Sequence, residues 1–201
     1  MSYLNLHSLL VTHVEGRVAF LENISLNKDA YQTMRSARTI IRVRLREQLP
    51  KHLRKKALAI GQDISIPEPR FFTQGSWAYK TLNSPCKHPQ QADLDDGTYL
   101  PFSYIESQPP SQMSALLFNS VEEVLGDLAN NMGWVLDDNN PNCTRLIIDS
   151  DKHIDVPVYS IPDDEFKTLV EARKMAWNQS PLRCVLIRLA SHTVDNATIV
   201  F

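Results

Sequence analysis

Residues 28–60 constrain the fold of this 201-residue chain more than any other stretch. Met34, Ala37, Ile41, Leu45 and Leu49 recur three or four positions apart, the spacing of one helix face. Arg35, Arg38, Arg42 and Arg46 repeat that spacing on a second stripe. Asn27 or Ser25 can cap the start and Gly61 can end the helix. Pro50 either kinks it or opens a second one as its first residue.

The rest of the chain alternates strands and helices. Phe71–Thr73 has strand character and is followed by Gly75-Ser76 and a segment, WAYKTL, that can start a helix. ADLDDGTYLPF at 92–102 has strand character on both sides of Asp96-Gly97, after a loop at 83–90. A Pro-rich connector at 106–112 leads to an amphipathic helix over 113–131, with Leu116, Leu117, Val121, Val124, Leu125 and Leu128 on its apolar face. Gly133–Leu136 reads as a strand before the turn cluster Asp137–Pro141. Cys143–Ile148 and His153–Tyr159 read as a hairpin closed by Asp149-Ser-Asp-Lys, and 163–177 reads as a helix capped by Asp163. This order implies an α+β fold, a mixed sheet with helices against it.

Charge is divided along the chain. Residues 28–56 hold ten Lys or Arg against two acids, and residues 93–165 hold fifteen Asp or Glu against two bases, Arg145 and Lys152. The basic stretch suits phosphate or nucleic acid, or is a solvated helix face; the acidic stretch suits a metal, or is again solvated surface. Three cysteines without a C-x-x-C pair argue against a disulfide framework and against zinc; Cys86-x-His88 lacks a second ligand pair. No apolar run is long enough to span a membrane and the N-terminus lacks a signal-peptide pattern, so the expectation is a soluble, cytoplasmic chain.

Asp93-Leu94-Asp95 is the sharpest chemical feature. Alternate side chains on a strand share a face, so Asp93 and Asp95 point together while Leu94 points into the core. Two such carboxylates repel each other unless a cation lies between them, and Mg²⁺ prefers carboxylate oxygens together with phosphate. Gly75-Ser76, one loop upstream, lets backbone approach a phosphate and offers a hydroxyl. Asp155 is an acid within the apolar run Ile154–Val158. It is either a third metal ligand or the ion-pair partner of Arg145 on the neighbouring strand. Asp149 and Asp151 are rivals placed in the turn. Three carboxylates on adjacent strands beside a phosphate-binding Gly-Ser suit two-metal nucleotidyl transfer: Asp93 and Asp95 shared by two ions, Asp155 on the ion at the nucleophile. No Walker or dinucleotide-binding glycine motif competes.

Three blocks, Gln74–Thr81, Gln91–Pro101 and His153–Tyr159, resemble the bacterial CD-NTases, the cGAS/DncV-like nucleotidyltransferases, in the branch of the cyclic GMP-AMP synthases. The resemblance covers about residues 30–180. It implies a polymerase-β-like nucleotidyltransferase core whose long N-terminal spine helix is the 28–60 segment. The implied layout is an N-terminal segment over 1–27, the core over 28–180 and a diverged or truncated start of a helical half over 181–201. The implied reaction joins ATP and GTP into 3′,3′-cyclic GMP-AMP with release of pyrophosphate, in antiphage signalling through a separate effector. The metal ligands and catalytic residues carried over are Asp93, Asp95 and Asp155, with two Mg²⁺ ions (or Mn²⁺) as cofactor. The carried-over nucleotide-binding residues are Gln74, Gly75, Ser76 and Tyr79, with Arg145 as a nucleotide or regulatory contact. A monomer is expected, without membrane or nucleic-acid partners.

Family members are about twice this length, and residues 182–201 do not resemble their continuation. Two other readings therefore stand beside the first. One is a nucleotide-binding domain without turnover. The other is a nucleotidyltransferase that makes another cyclic or linear product, including one that extends a nucleic acid along the basic helix. That helix lacks the interleaved aromatics that would stack bases.

Overall fold

A computed structural model of the chain describes residues 18–61, 68–101, 110–137 and 143–165, with positions 10, 63, 66, 167, 168 and 171. Residues 181–201, most of the 106–112 connector and most of the helix expected at 163–177 lie outside the described residues. The ordered elements are α1 (Phe20–Ile24), α2 (Lys28–Ala59), β1 (Arg70–Thr73), α3 (Gly75–Tyr79), β2 (Ala92–Pro101), α4 (Pro110–Met132), β3 (Val135–Asp137), β4 (Thr144–Asp149), β5 (Lys152–Val156) and β6 (Val158–Ile161).

The expected long helix is α2, 32 residues running unbroken through Pro50. Asn27 caps it, its side-chain oxygen accepting from the Ala30 amide at 2.8 Å. Its buried stripe continues past the proline, because Leu49 and Leu53 on either side are both packed into the core. That packing holds the helix together where one backbone hydrogen bond is missing.

Among the described residues the sheet has six strands, in the order β1-β2-β5-β4-β3, and β6 also pairs with β2. β2 is one continuous ten-residue strand. It does not break at Asp96-Gly97. Its first half pairs in parallel with β5 and its second half in parallel with β6. The single strand expected over 153–159 is thus two strands separated by Pro157. Proline has no N–H for a ladder, but its carbonyl still accepts from the Thr98 amide at 2.8 Å, so both pieces stay on the same side of β2. The hairpin expected around Asp149–Lys152 is present as β4-β5, with a register shift between Ile147 and Asp149.

One face of the sheet carries the core. Leu94, Ile154, Val156 and Leu146 pack with α2 residues Met34, Ile41, Leu45 and Leu49 and α4 residues Leu117, Val121 and Leu125. Both long helices therefore lie against this face. The side chains that alternate with this set point to the opposite face, which holds the candidate site.

Candidate active site on the open sheet face

The parallel register of β2 and β5 builds the site. Asp93 lies beside His153 and Asp95 beside Asp155, while antiparallel pairing places Arg145 on β4 opposite Asp155. The expected strand geometry thus brings all three carboxylates to one face. Asp155 is buried and Asp93 half-buried.

Asp155 is held by Arg145 in a two-point fork, Nε to Oδ1 at 2.7 Å and Nη2 to Oδ2 at 2.8 Å. This is the ion pair that the sequence left as one of two alternatives. It does not exhaust the carboxylate, which has about four lone-pair positions. The pair raises the Arg145 pKa, the hydrogen bond to Asp155 being the main cause. Burial, then the nearby Asp155 charge, pushes the Cys143 thiol up to about 12, so this cysteine is an unreactive hydrogen-bonding neighbour of Asp155.

Asp95 is pushed up to about 6, first by burial and then by the charges of Asp93 and Asp155. An acid strained in this way favours a cation beside it. Asp95 faces the Gly75 loop. The Gln74 amide donates to the Asp95 carbonyl at 2.9 Å, and Ser76 Oγ donates to the Asp93 carbonyl at 3.2 Å. Gly75 has φ 57°, and a Cβ there would lie 2.1 Å from Asp95 Oδ2. Glycine is therefore needed both for the backbone conformation and for room beside the carboxylate.

The other expected nucleotide residues are placed differently from one another. The Gln74 side chain donates to the Tyr99 hydroxyl and accepts from the Tyr159 hydroxyl at 3.3 Å. The two tyrosine rings stack at 4.6 Å. A Cβ at Gly97 would come within 2.9 Å of Gln74 Nε2 and of the Tyr99 ring, so this strand glycine makes space for the cluster. Tyr79 is exposed at the far end of the five-residue α3. Asp149 and Asp151 both pair with Lys152 in the turn, away from the carboxylate cluster. The Lys152 hydrogen bond is the first cause of the lowered Asp151 pKa.

Two residues that the sequence reading did not single out matter here. His153 lies with its Nε2 3.1 Å from Asp93 Oδ1 and 3.9 Å from Asp155 Oδ1. Among the described residues, Asp93, His153 and Asp155 form the group whose ligand atoms all lie within 4.8 Å of one another. Asp95 is outside that group. Asp96 is only 1% exposed and points to the helix side of β2, where Arg42 and Thr73 hold it. The arginine stripe of α2 is neither a free phosphate surface nor a wholly solvated face. Arg38 and Arg42 both donate to Thr73, and Arg42 and Arg46 lie over the Phe71 ring.

The carboxylates fit a divalent cation on the structure's own terms. Asp93 Oδ1 and His153 Nε2 are buried polar atoms without a hydrogen-bond partner, and both face the cluster. A mixed sheet with its helices packed on one face and carboxylates gathered on the other is the arrangement expected of a nucleotidyltransferase core.

Residues 69–159 match the model of the cyclic GMP-AMP synthase DncV-like nucleotidyltransferase domain. A cyclic GMP-AMP synthase of Escherichia coli is 46% identical over 103 residues, 50% of this chain and 23% of the relative. That of Vibrio cholerae serotype O1 is 44% identical over 100 residues, 49% and 23% of the two chains. The V. cholerae DncV structure in complex with GTP and 5MTHFGLU2 superposes with TM-score 0.64 at 27% identity, over 84% of this chain and 53% of that one. The DncV structure holding the linear intermediate 5′ pppA(3′,5′)pG gives TM-score 0.61 at 26% identity, over 81% and 51%. The chain thus aligns with about a quarter of the curated relatives' length and about half of the solved chains. Among the described residues, no helix is long and apolar enough to cross a membrane.

Proposed function

We propose that this chain carries the catalytic half of a cyclic dinucleotide synthase that joins ATP and GTP into 3′,3′-cyclic GMP-AMP. The observation that carries the reading is the placement of Asp93, Asp95 and Asp155 on one face of β2 and β5, beside the Gly75-Ser76 loop. Similarity to DncV, whose structure holds a linear pppA–pG intermediate, supports the choice of product. In this reading the product would act on a separate effector, in antiphage signalling.

Divalent ions, two Mg²⁺ or Mn²⁺, would supply activation of the attacking hydroxyl and neutralisation of the pyrophosphate leaving group. Asp93 and Asp95 would hold them together, with Asp155 on the nucleophile side. Gly75 keeps the loop backbone close to Asp95 so that phosphate oxygens and carboxylate can share a cation. Ser76 ties that loop to β2 through the Asp93 carbonyl. Arg145 acts on Asp155 rather than on a nucleotide: its fork fixes the carboxylate plane. Gln74, held between Tyr99 and Tyr159, fixes the start of the loop, and exposed Tyr79 is left to stack against a base or ribose.

The test is incubation of the chain with ATP, GTP and Mg²⁺ and mass analysis of the products. A cyclic product that disappears in Asp93→Ala or Asp95→Ala supports the reading; undiminished product in the double variant overturns the site. Binding of nucleotide and metal without turnover is the second reading. It is favoured by the fork that already engages both oxygens of Asp155, and formation of no product by a chain that still binds GTP would establish it.

A further inference from the structure

His153 is the side chain at this site that the carboxylate scheme leaves unexplained. It is 9% exposed, and its partners fix which way its lone pair points. The Gln91 side-chain nitrogen donates to two carbonyls, of Asp149 at 3.4 Å and Ser150 at 3.3 Å. Carbonyls only accept, so the amide oxygen of Gln91 must be the end that faces His153 Nδ1, at 2.9 Å. Nδ1 therefore donates, and in the neutral ring Nε2 carries the lone pair.

That lone pair is aimed at two other acceptors. Nε2 lies 3.1 Å from Asp93 Oδ1 and 3.9 Å from Asp155 Oδ1, and neither Nε2 nor Asp93 Oδ1 makes a hydrogen bond. With a neutral ring, three electron-pair donors converge in a buried place and repel one another; either a proton on Nε2, which makes the His153–Asp93 contact an ion pair, or a metal cation relieves this. The His153–Asp93 distance matches that of neighbouring ligands of an octahedral ion, which at about 2.1 Å are about 3.0 Å apart, and Asp155 Oδ1, at 3.9 Å, would move closer on binding. The Gln91–His153 contact is the usual device that orients a ligating imidazole, and the Arg145 fork does the same for Asp155.

We propose that His153 Nε2 joins Asp93 and Asp155 as a nitrogen ligand of one divalent cation, so that this site prefers Mn²⁺ to Mg²⁺. The inference rests on the carboxylates being cation ligands, as in the function proposed above. A nitrogen ligand is what separates the two metals, since Mg²⁺ keeps to oxygen while Mn²⁺, which also favours carboxylates, opens the first-row series that mixed nitrogen and oxygen sites bind.

The experiment titrates the full chain with Mn²⁺ and records pulsed electron paramagnetic resonance of the bound ion. A ¹⁴N coupling from imidazole, replaced by a ¹⁵N coupling when histidine is labelled, is expected in the unmodified chain, with Mn²⁺ bound at least tenfold more tightly than Mg²⁺ in competition. His153→Ala should lose the coupling and bind Mn²⁺ about tenfold more weakly, its fold being checked by circular dichroism. The labelled wild-type spectrum stands if that variant does not fold. Bound Mn²⁺ without nitrogen coupling overturns the role of His153 and leaves the carboxylate site intact. The same holds for a coupling that survives in folded His153→Ala. No bound Mn²⁺ overturns both.

Discussion

Asp95 stands between opposing demands. Its carboxylate is crowded by Asp93, by Asp155 and by a loop that only glycine at position 75 lets so close. In the folded chain without a cation it keeps its proton up to pH about 6, against an ordinary 3.8. The folded state then binds more protons than the unfolded state between those values, so stability is greatest below the lower one and falls as pH rises through the upper one. Asp95→Asn should flatten this fall. Urea midpoints of the cation-free chain should decline from pH 4 to pH 7 in the wild type and much less in the variant, and an equal decline in both would show that Asp95 bears no such strain. Adding the divalent cation should reverse the order at pH 7, since the carboxylate at position 95 gains more from it than the amide does. Part of this was legible in the sequence. Alternation alone puts Asp93 and Asp95 on one face, and an acid in the run Ile154–Val158 demands a partner, which Arg145 supplies. His153 was not legible. Its proximity to Asp93 is fixed by the parallel register of two strands about sixty positions apart, which no local pattern encodes.

The elements are joined by polar bonds as well as by the core. Asp96 follows Asp95 directly and so turns to the opposite face of β2, where Arg42 of α2 bonds both its oxygens and Thr73 of β1 donates at 2.9 Å. One carboxylate thus ties the spine helix to two strands. Pleat geometry sends it to the helix and away from Asp93 and Asp95. Removing it leaves a part-buried guanidinium without its counter-charge. Asp96→Ala should cost about 3 kcal/mol of unfolding free energy, and Asp96→Ala combined with Arg42→Met should recover much of the loss. Denaturant unfolding of the two variants checks this, and equal losses in both would mean that the pair is not what holds α2. The long helix itself was readable from periodicity. That it continues through Pro50 was not, because the outcome depends on tertiary packing of Leu49 and Leu53 rather than on local preference. The same holds at Pro157: the sequence runs on as one apolar strand, but a missing amide splits it into two pieces that both use β2.

At the scale of the molecule, the sheet separates two environments. The helices α2 and α4 bury one face, and the other gathers carboxylates whose mutual repulsion the fold must tolerate. Ligands that relieve that repulsion should therefore stabilise the whole chain, not only fill a site. A nucleoside triphosphate alone brings further negative charge to Asp93 and Asp95 and should shift the melting temperature little. A divalent cation alone should raise it. Cation and triphosphate together should raise it by more than the sum, because each supplies the partner that the other lacks. A ligand at about a hundredfold its dissociation constant adds about 2.7 kcal/mol, which for a chain of this size is a rise of about 5–10 °C. Thermal melts with Mn²⁺, with GTP and with both should show this order. The joint gain should vanish in Asp93→Ala/Asp95→Ala, whose cation-free melting point should match or exceed that of the wild type. An additive response, or a joint gain that survives the double variant, would place the triphosphate away from the carboxylate face and detach the site from the chemistry assigned to it.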